Sequence, residues 1–299
     1  MRLTLRQLEV FAAVAAGESV SRAAVALPLS QSAASAALAE LERQFDVQLF
    51  DRVGKRLRLN DLGRAFLPGA TEILDRAREL EAALGSQSLP GELRVGATLT
   101  IGNYVGAPLV GEYLRRHPGS KLALTIDNTA SIIARVADFS LDLGLVEGRC
   151  QDPGIEVTHW ADDALVVFAA PSHALAKKRR IAPAALAAAT WILREPGSGT
   201  RDTFERAVAG VLRTLRVGLE LGQTEAIKQA VGSGLGLGCI SRRALCEEFR
   251  RGTLVALRTP FLDMRREFSI LVHRKKYRTA ACREFIALCR EGPGPGSRI

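Results

Sequence analysis

Residues 19–58 read SVSRAAVALPLSQSAASAALAELERQFDVQLFDRVGKRLR. The stretch predicts a helix, a tight break, a second helix and a basic strand-turn-strand. Ser19 is placed to cap the first helix, and Ala23, Ala24 and Leu27 share one of its faces. Leu27-Pro28 ends it, because a residue ahead of proline is driven out of the α region. Ser30 then stands where an N-cap belongs, and Ala34, Leu38, Leu41 and Phe45 recur at helical spacing as one buried stripe. The other face carries Gln31, Ser32, Ser35, Ala36 and Ala39, with no acidic residue before Glu40. Short, uncharged side chains let a helix approach the floor of the major groove. Gln31 suits the edge of adenine, and Ser30, Ser32 and Ser35 suit bases or phosphates.

The basic segment from Asp51 to Leu59 alternates Leu57 and Leu59 with Arg56 and Arg58. A strand would turn the leucines inward and the arginines outward. Gly54 permits the turn before it. Arg52, Lys55, Arg56 and Arg58 then form a wing suited to phosphates, whose oxygens match the fork of arginine. An ordinary helical subdomain with a solvated basic loop would show the same pattern.

Several further segments narrow the choice. Leu5 to Phe11, Ser19 to Ala26, Leu29 to Ser35, Leu41-Glu42, Leu49 to Arg52 and Leu59 to Gly63 form an ordered set. Together they resemble the N-terminal signature of LysR-type transcriptional regulators, over about the first 85 residues. The resemblance implies a winged helix-turn-helix at 1–60 that reads double-stranded DNA. Many members carry proline at the position of Ser32 and a basic or amide pair at that of Ala36-Ala37. The alanines here can offer only apolar contact, for instance to a thymine methyl. Readout then leans on Gln31, Ser35, the wing and DNA shape.

The chain has 299 residues, enough for about two domains at roughly 150 residues each. Its first residues carry Arg2, Arg6 and Glu9 with no apolar leader, and charge-free windows such as Val95–Gly111 are broken by glycines and Pro108. The expectation is a cytoplasmic protein with no membrane span. The net charge of +9 is unevenly placed: residues 1–60 hold eight basic and six acidic residues, residues 61–90 three and five, so 91–299 carry the whole excess. The large C-terminal part therefore lies near DNA, handles an anion, or both.

Between the two parts, Leu62, Phe66, Ala70, Ile73, Ala77, Leu80 and Leu84 predict one long helix over 61–85, with Asn60 as cap and Pro68 as a complication. So long a stripe with no sequence neighbour to cover it suggests self-association. The resemblance implies that this linker helix makes the dimer, in a family where tetramers are common and RNA polymerase is a further partner. Residues 86–91 read as a hinge by composition.

From Glu92 onward strand-like and helix-like segments alternate, which predicts α/β with a largely parallel sheet. Leu93–Gly96, Leu122–Ile126, Leu141–Val146 and Ala164–Ala169 read as strands, and Val105–Arg116 and Ser131–Phe139 as helices. The resemblance implies an effector-binding domain over 92–299, of periplasmic-binding-protein type. Its subdomain I would be 92–162 with 266–299, and its subdomain II 163–265.

Ligands of open α/β sheets bind beyond the strand ends, at helix starts. Three segments fit: Thr98, Thr100 and Asn103 after the first strand; Glu195, Ser198, Thr200 and Arg201 in a glycine-rich turn; and Thr224. Thr129 and Glu147 are weaker candidates. Hydroxyls, free amides and one arginine fork would cradle a small oxyanion. Among LysR-type regulators the glycine-rich turn and the segment from Thr98 to Asn103 are similar to those of the sulfur-assimilation and carbon-dioxide-fixation regulators. A sulfite- or sulfate-like effector is therefore the expectation, with no other cofactor.

Other classes are weaker. Gly197 to Thr200 is not a P-loop, Gly232 to Gly238 does not fit Gly-x-Gly-x-x-Gly, and no nucleophile stands near a base. An enzyme is not expected. The alternative is an anion-binding protein or enzyme with an incidental helical N-terminal domain. Cys150, Cys239, Cys246, Cys282 and Cys289 include no Cys-x-x-Cys, and buried small hydrophobes are expected rather than a disulfide framework or a redox switch. The seven-residue spacings of Cys239/Cys246 and Cys282/Cys289 would put each pair on one helical face. The histidines are scattered, and no metal site is expected.

Overall fold

The computed structural model describes residues 2–54, 56–84, 92–212 and 214–291. Lys55 of the wing, the expected hinge 86–91, Gly85 and residues 292–299 lie outside that set.

Four helices and a hairpin form the N-terminal part. Helix α1 (Leu5–Gly17) starts with a capping box, in which Thr4 Oγ1 accepts from Gln7 N at 3.2 Å and Gln7 Oε1 accepts from Thr4 N at 3.0 Å. Helix α2 (Val20–Ala26) is capped by Ser19, and α3 (Gln31–Phe45) by Ser30, whose hydroxyl accepts from Ala33 N at 3.1 Å. Strands β1 (Phe50–Val53) and β2 (Arg56–Leu59) pair antiparallel, with Arg52 opposite Leu57. Asn60 caps α4 (Asp61–Leu84) by accepting from Gly63 N at 2.8 Å. The helix runs through Pro68, whose missing N–H costs one bond.

The core of this part joins Leu8, Phe11 and Val14 of α1 to Ala23, Ala24, Ala34, Leu38 and Leu41. Phe11 lies between Phe50 and Phe66, with ring centroids at 5.5 and 5.1 Å. Two expectations need correction. Phe45, at the last position of α3, is 50% exposed rather than part of the buried stripe. The α4 stripe is also two faces, not one. Leu67, Ala70 and Leu74 are buried against this core, whereas Leu62, Ile73, Leu80 and Leu84 are exposed and Phe66 is half-buried.

The C-terminal part is a mixed sheet rather than a largely parallel one. Strands β3 (Leu93–Thr98), β4 (Leu122–Asp127) and β5 (Leu143–Glu147) are parallel, with β3 in the centre. Strands β7 (Thr190–Arg194), β8 (Arg216–Leu221) and β9 (Leu237–Ser241) are also parallel, with β7 in the centre. Strand β6 (Ile155–Ala169) runs through both sets and pairs with β10 (Val255–Ala256) near its end, and β11 (Arg265–His273) lies antiparallel to β5 and β6. Partners of β6 change from β11 to β9 at Leu165. Two layers of helices cover the halves, and separate cores lie beneath them.

Boundaries differ in detail from the sequence reading. The helix expected from Val105 begins at Leu99 and passes through a π turn at Gly102–Gly106 before Ala107–Arg116. The next helix is Thr129–Ala137, because Asn128 rather than a later residue caps it, accepting from Ser131 N at 3.0 Å. The strand expected at 164–169 is the end of the 15-residue β6. That strand alternates irregularly where its cover changes, which hides its length in the sequence.

Candidate functional site

The leading turns of α3 present Gln31, Ser32, Ser35 and Ala36 to solvent, as expected for a face that meets a groove. Ser30 is committed to the helix cap and also lies 3.0 Å from the Ser32 hydroxyl. In the hairpin, Arg52, Arg56 and Arg58 are exposed. Arg52 has no carboxylate partner among the described residues. Arg56 and Arg58 share one, Glu18, at 3.3 and 3.7 Å. Glu18 also accepts from Leu57 N through its backbone carbonyl at 3.0 Å. This residue escaped the sequence reading, since it sits in the turn after α1 and meets the wing only through folding. It holds two arginines of the hairpin in place.

The expected effector residues divide into three groups. Thr98, Thr100, Thr129, Ser198, Thr200 and Thr224 are all buried at the ends of strands and the starts of helices. Thr98, Ser198 and Gln223 stand at N-cap positions with no side-chain cap bond, so the first amides of three helical segments lack that partner. Asn103 instead lies exposed on the π turn. Arg201 is also turned away. It pairs with Glu205 at 2.5 Å and Glu220 at 3.0 Å, and it donates to the Arg194 carbonyl. Glu195 is bound to Arg194 at 2.8 Å. The expectation that Arg201 offers a free fork is therefore corrected, because neighbouring carboxylates consume it.

The cation among the buried hydroxyls is Arg266. Its side chain is 2% exposed. Nε donates to Asp163 Oδ2 at 2.7 Å, and the two terminal nitrogens donate to Thr200 Oγ1 at 2.9 Å and Thr100 Oγ1 at 3.3 Å. Glu147 lies 3.7 Å away, itself buried and accepting from Thr98. Asp163 accepts also from Ser241 at 2.9 Å. One guanidinium thus joins a hydroxyl from each half of the sheet. Sequence could have flagged Arg266 only as an inward position of a strand.

Two contacts close the cleft around this group. Gly199 N donates to Thr129 Oγ1 at 3.0 Å, which donates onward to the Glu147 carbonyl at 2.9 Å. A Cβ on Gly199 would lie 2.0 Å from that carbonyl oxygen, so glycine is required by the close approach. On the other side Tyr104 donates to Glu225 at 2.8 Å, and Glu225 pairs with the buried Lys228 at 2.8 Å. Burial, then the bond to Glu225, push the Tyr104 hydroxyl up to about 12. Outside the Thr129–Gly199 contact, a cavity of about 370 Å³ is lined by Thr129, Arg149, Ser198 and Arg201.

The cysteines are mostly core. Cys239, Cys282 and Cys289 are buried, and burial raises the thiols of Cys282 and Cys289 to about 12. Cys246 is exposed, against expectation, and does not share a helical face with Cys239, which lies on β9. Among the described residues, His159, Asp162 and Glu267 bring possible ligand atoms within 4.8 Å of one another, all on exposed side chains. None of the described helices is long and apolar enough to cross a membrane.

Residues 5–64 match the bacterial regulatory helix-turn-helix protein, lysR family, and residues 86–293 match the LysR substrate binding domain. The chain belongs to the LysR family of transcriptional regulators. It is 42% identical to the HTH-type transcriptional regulator YeiE of Escherichia coli strain K12 over 97% of this chain and 98% of that protein. It is 36% identical to the RuBisCO operon transcriptional regulator of Allochromatium vinosum over 96% of each. Full-length OxyR of Pseudomonas aeruginosa shares the fold, with a TM-score of 0.73, 22% identity and coverage of 97% and 94%. The regulatory domain of Synechocystis CcmR, solved in complex with 2-PG, is 29% identical over 69% of this chain and 98% of that domain, with a TM-score of 0.63. This LysR regulator is thus a DNA-binding protein with an effector-binding domain, and its relatives are named as regulators rather than enzymes.

Proposed function

We propose that this LysR regulator reads DNA as a self-associated pair and is controlled by a small oxyanion held between the two halves of its sheet. One observation carries the anion: the buried Arg266 guanidinium donates to Thr100 and Thr200, one hydroxyl from each half. Helical N-termini without side-chain caps at Thr98, Ser198 and Gln223 bring favourable dipoles to the same cleft, where Thr129 already holds the Gly199 amide. An arriving anion would take the threonine hydroxyls as donors, with Arg266 holding those two hydroxyls in place. Glu147 and Asp163 already offset the charge of Arg266, so hydroxyls and helix-start amides rather than net charge would hold the sulfite- or sulfate-like anion. The likeness to a regulatory domain solved in complex with 2-PG supports a small anionic ligand for this domain.

Self-association follows from the outer face of α4, where Leu62, Ile73, Leu80 and Leu84 are exposed. Pairing there would set two readers on two half-sites. A dimer of dimers and contact with RNA polymerase extend the same reading, in a cytoplasmic protein. Binding of the anion acts only through its different affinity for two arrangements of the domains.

Calorimetric titration of the full-length protein with sulfite, sulfate, phosphate and 2-PG tests the ligand. A saturable heat with one of them is expected, reduced at least tenfold by Thr100→Val with Thr200→Val. No heat with any of the four sinks the anion reading.

A further inference from the structure

Strands β3, β5 and β11 lie side by side, and each reaches the cleft at one end only. Their cleft ends supply Thr98, Glu147 and Arg266. Their opposite ends lead to Arg94, to Asp142 one residue before β5, and to Lys276 three residues after β11. With about 3.3 Å of rise per residue, Asp142 and Glu147 at the two ends of β5 are separated by roughly 16 Å of strand.

At the far ends a buried ionic group grips α4. Lys276 Nζ lies 2.6 Å from Asp75 of α4 and 2.9 Å from Asp142. The Lys276 side chain is 2% exposed and the two carboxylates 8% each. Arg94 holds Asp142 through its guanidinium at 2.7 Å and its backbone amide at 2.7 Å. One helical turn further along α4, Glu79 accepts from Tyr277 Oη at 2.7 Å and Ala280 N at 2.6 Å. Arg76 stacks over the Tyr277 ring at 4.5 Å. Asp75 and Glu79 therefore bolt one face of the linker helix to residues 276–280.

Burying such a group is a poor way to gain stability, because desolvation offsets most of the attraction, and apolar packing would serve as well. Short ionic bonds from several directions do restrict angle and register. We propose that Lys276 is a positioning residue: by bridging Asp75 to Asp142 it fixes the angle of α4, and with it the reader, to the three strands that bear the cleft. The joint's regulatory use rests on the cleft being the effector site; the positioning itself requires no ligand.

The test uses the full-length chain with Cys150 and Cys246 replaced by serine. Nitroxide labels are placed at Arg43→Cys on the reader and Glu267→Cys on β11, and labelled protein is diluted with unlabelled so that intrachain distances dominate. Double electron–electron resonance should give one narrow distance in the parent. Lys276→Met should broaden that distribution at least twofold while affinity for DNA fragments stays within about threefold. Asp75→Asn, a smaller change, should broaden it likewise. Leu288→Ala, which weakens the core of the same half, should leave the distance in place. An unchanged distance in a folded Lys276 or Asp75 variant overturns the proposal, and so does equal broadening by Leu288→Ala. Failure of both charge variants to fold also overturns it, since a positioning residue is dispensable to the folded halves. No anion is present, so failure here is separate from failure of the effector reading.

Discussion

The guanidinium of Arg266 lies 2.7 Å from the carboxylate of Asp163, with both side chains 2% exposed, where the chain passes from one half of the sheet to the other. Removing one partner leaves the other charged and buried. Losses of about 3–5 kcal/mol are usual in that case. Here Ser241 at 2.9 Å and Arg243 at 3.5 Å still serve Asp163, so Arg266→Met should fall near the lower end. Urea denaturation measures it. Adding Asp163→Asn should recover part of the loss, whereas an additive second loss would show that the two residues do not act as a pair.

Gly199→Ala tests whether the closed cleft is needed for ligand binding. Its Cβ would meet the Glu147 carbonyl at 2.0 Å, a backbone atom that cannot turn aside. The two halves must then part, at a cost of about 1–3 kcal/mol, typical of overpacking. Anion affinity should fall at least tenfold by calorimetry. Unchanged affinity would place the ligand away from this contact.

The reader was legible in the sequence because its signals are local. Ser19, Ser30 and Asn60 cap the helices that follow them, and the alternation of Arg56 to Leu59 gives the wing. Half of the cleft was legible for the same reason, as hydroxyls after strand ends. Arg266 was not, because its two threonine partners lie 66 and 166 residues away. Arg201 looked free because one of its two carboxylate partners, Glu220, comes from a separate strand, although the other, Glu205, stands four residues further along the same helix. The α4 stripe misled because a helix with two neighbours carries two overlapping patterns, and spacing alone does not say which neighbour each leucine meets.

Roles on the reader separate by specificity. Gln31→Ala should relax one base position at a cost of roughly 1–3 kcal/mol for the preferred sequence. Arg52→Ala should weaken all DNA alike and lower the salt slope by about one. Glu18→Gln should act in the opposite direction, because Glu18 holds Arg56 and Arg58 at 3.3 and 3.7 Å and competes with phosphate. Fluorescence anisotropy on specific and random duplexes across salt concentrations distinguishes the three. Uniform weakening by Gln31→Ala would remove it from base readout.

Acid should loosen the joint at α4 before it unfolds less charged parts of the core. Burial pushes the Asp142 carboxyl up, but Lys276 and Arg94 more than reverse this and bring it from 3.8 to about 2. A carboxyl depressed on folding stabilises above its unfolded value, and that stability is lost as pH falls through the folded one. The window is therefore about pH 4 down to 2, and the contribution about 2 kcal/mol. Urea midpoints measured across that range should fall less steeply in Asp142→Asn than in the parent. Equal slopes would mean that Asp142 does not contribute to the acid response.

Thiol chemistry distinguishes a structural role of the cysteines from a redox one. Thiolate is the reactive form, and burial holds Cys282 and Cys289 at about 12 and raises Cys239 as well. At pH 8 these three are almost wholly protonated and out of reach of solvent. Cys246 is exposed and Cys150 is partly so, with its thiol raised by burial. A disulfide reagent should therefore modify Cys246 quickly and Cys150 slowly, and reach the other three only on unfolding. DNA affinity should be indifferent to Cys246→Ser, because Cys246 is exposed and its thiol donates only to the Arg242 carbonyl. Rapid modification of Cys282 or Cys289 in the native protein would show that the helix Ala280–Glu291, which carries both, opens, and would return a redox role to consideration.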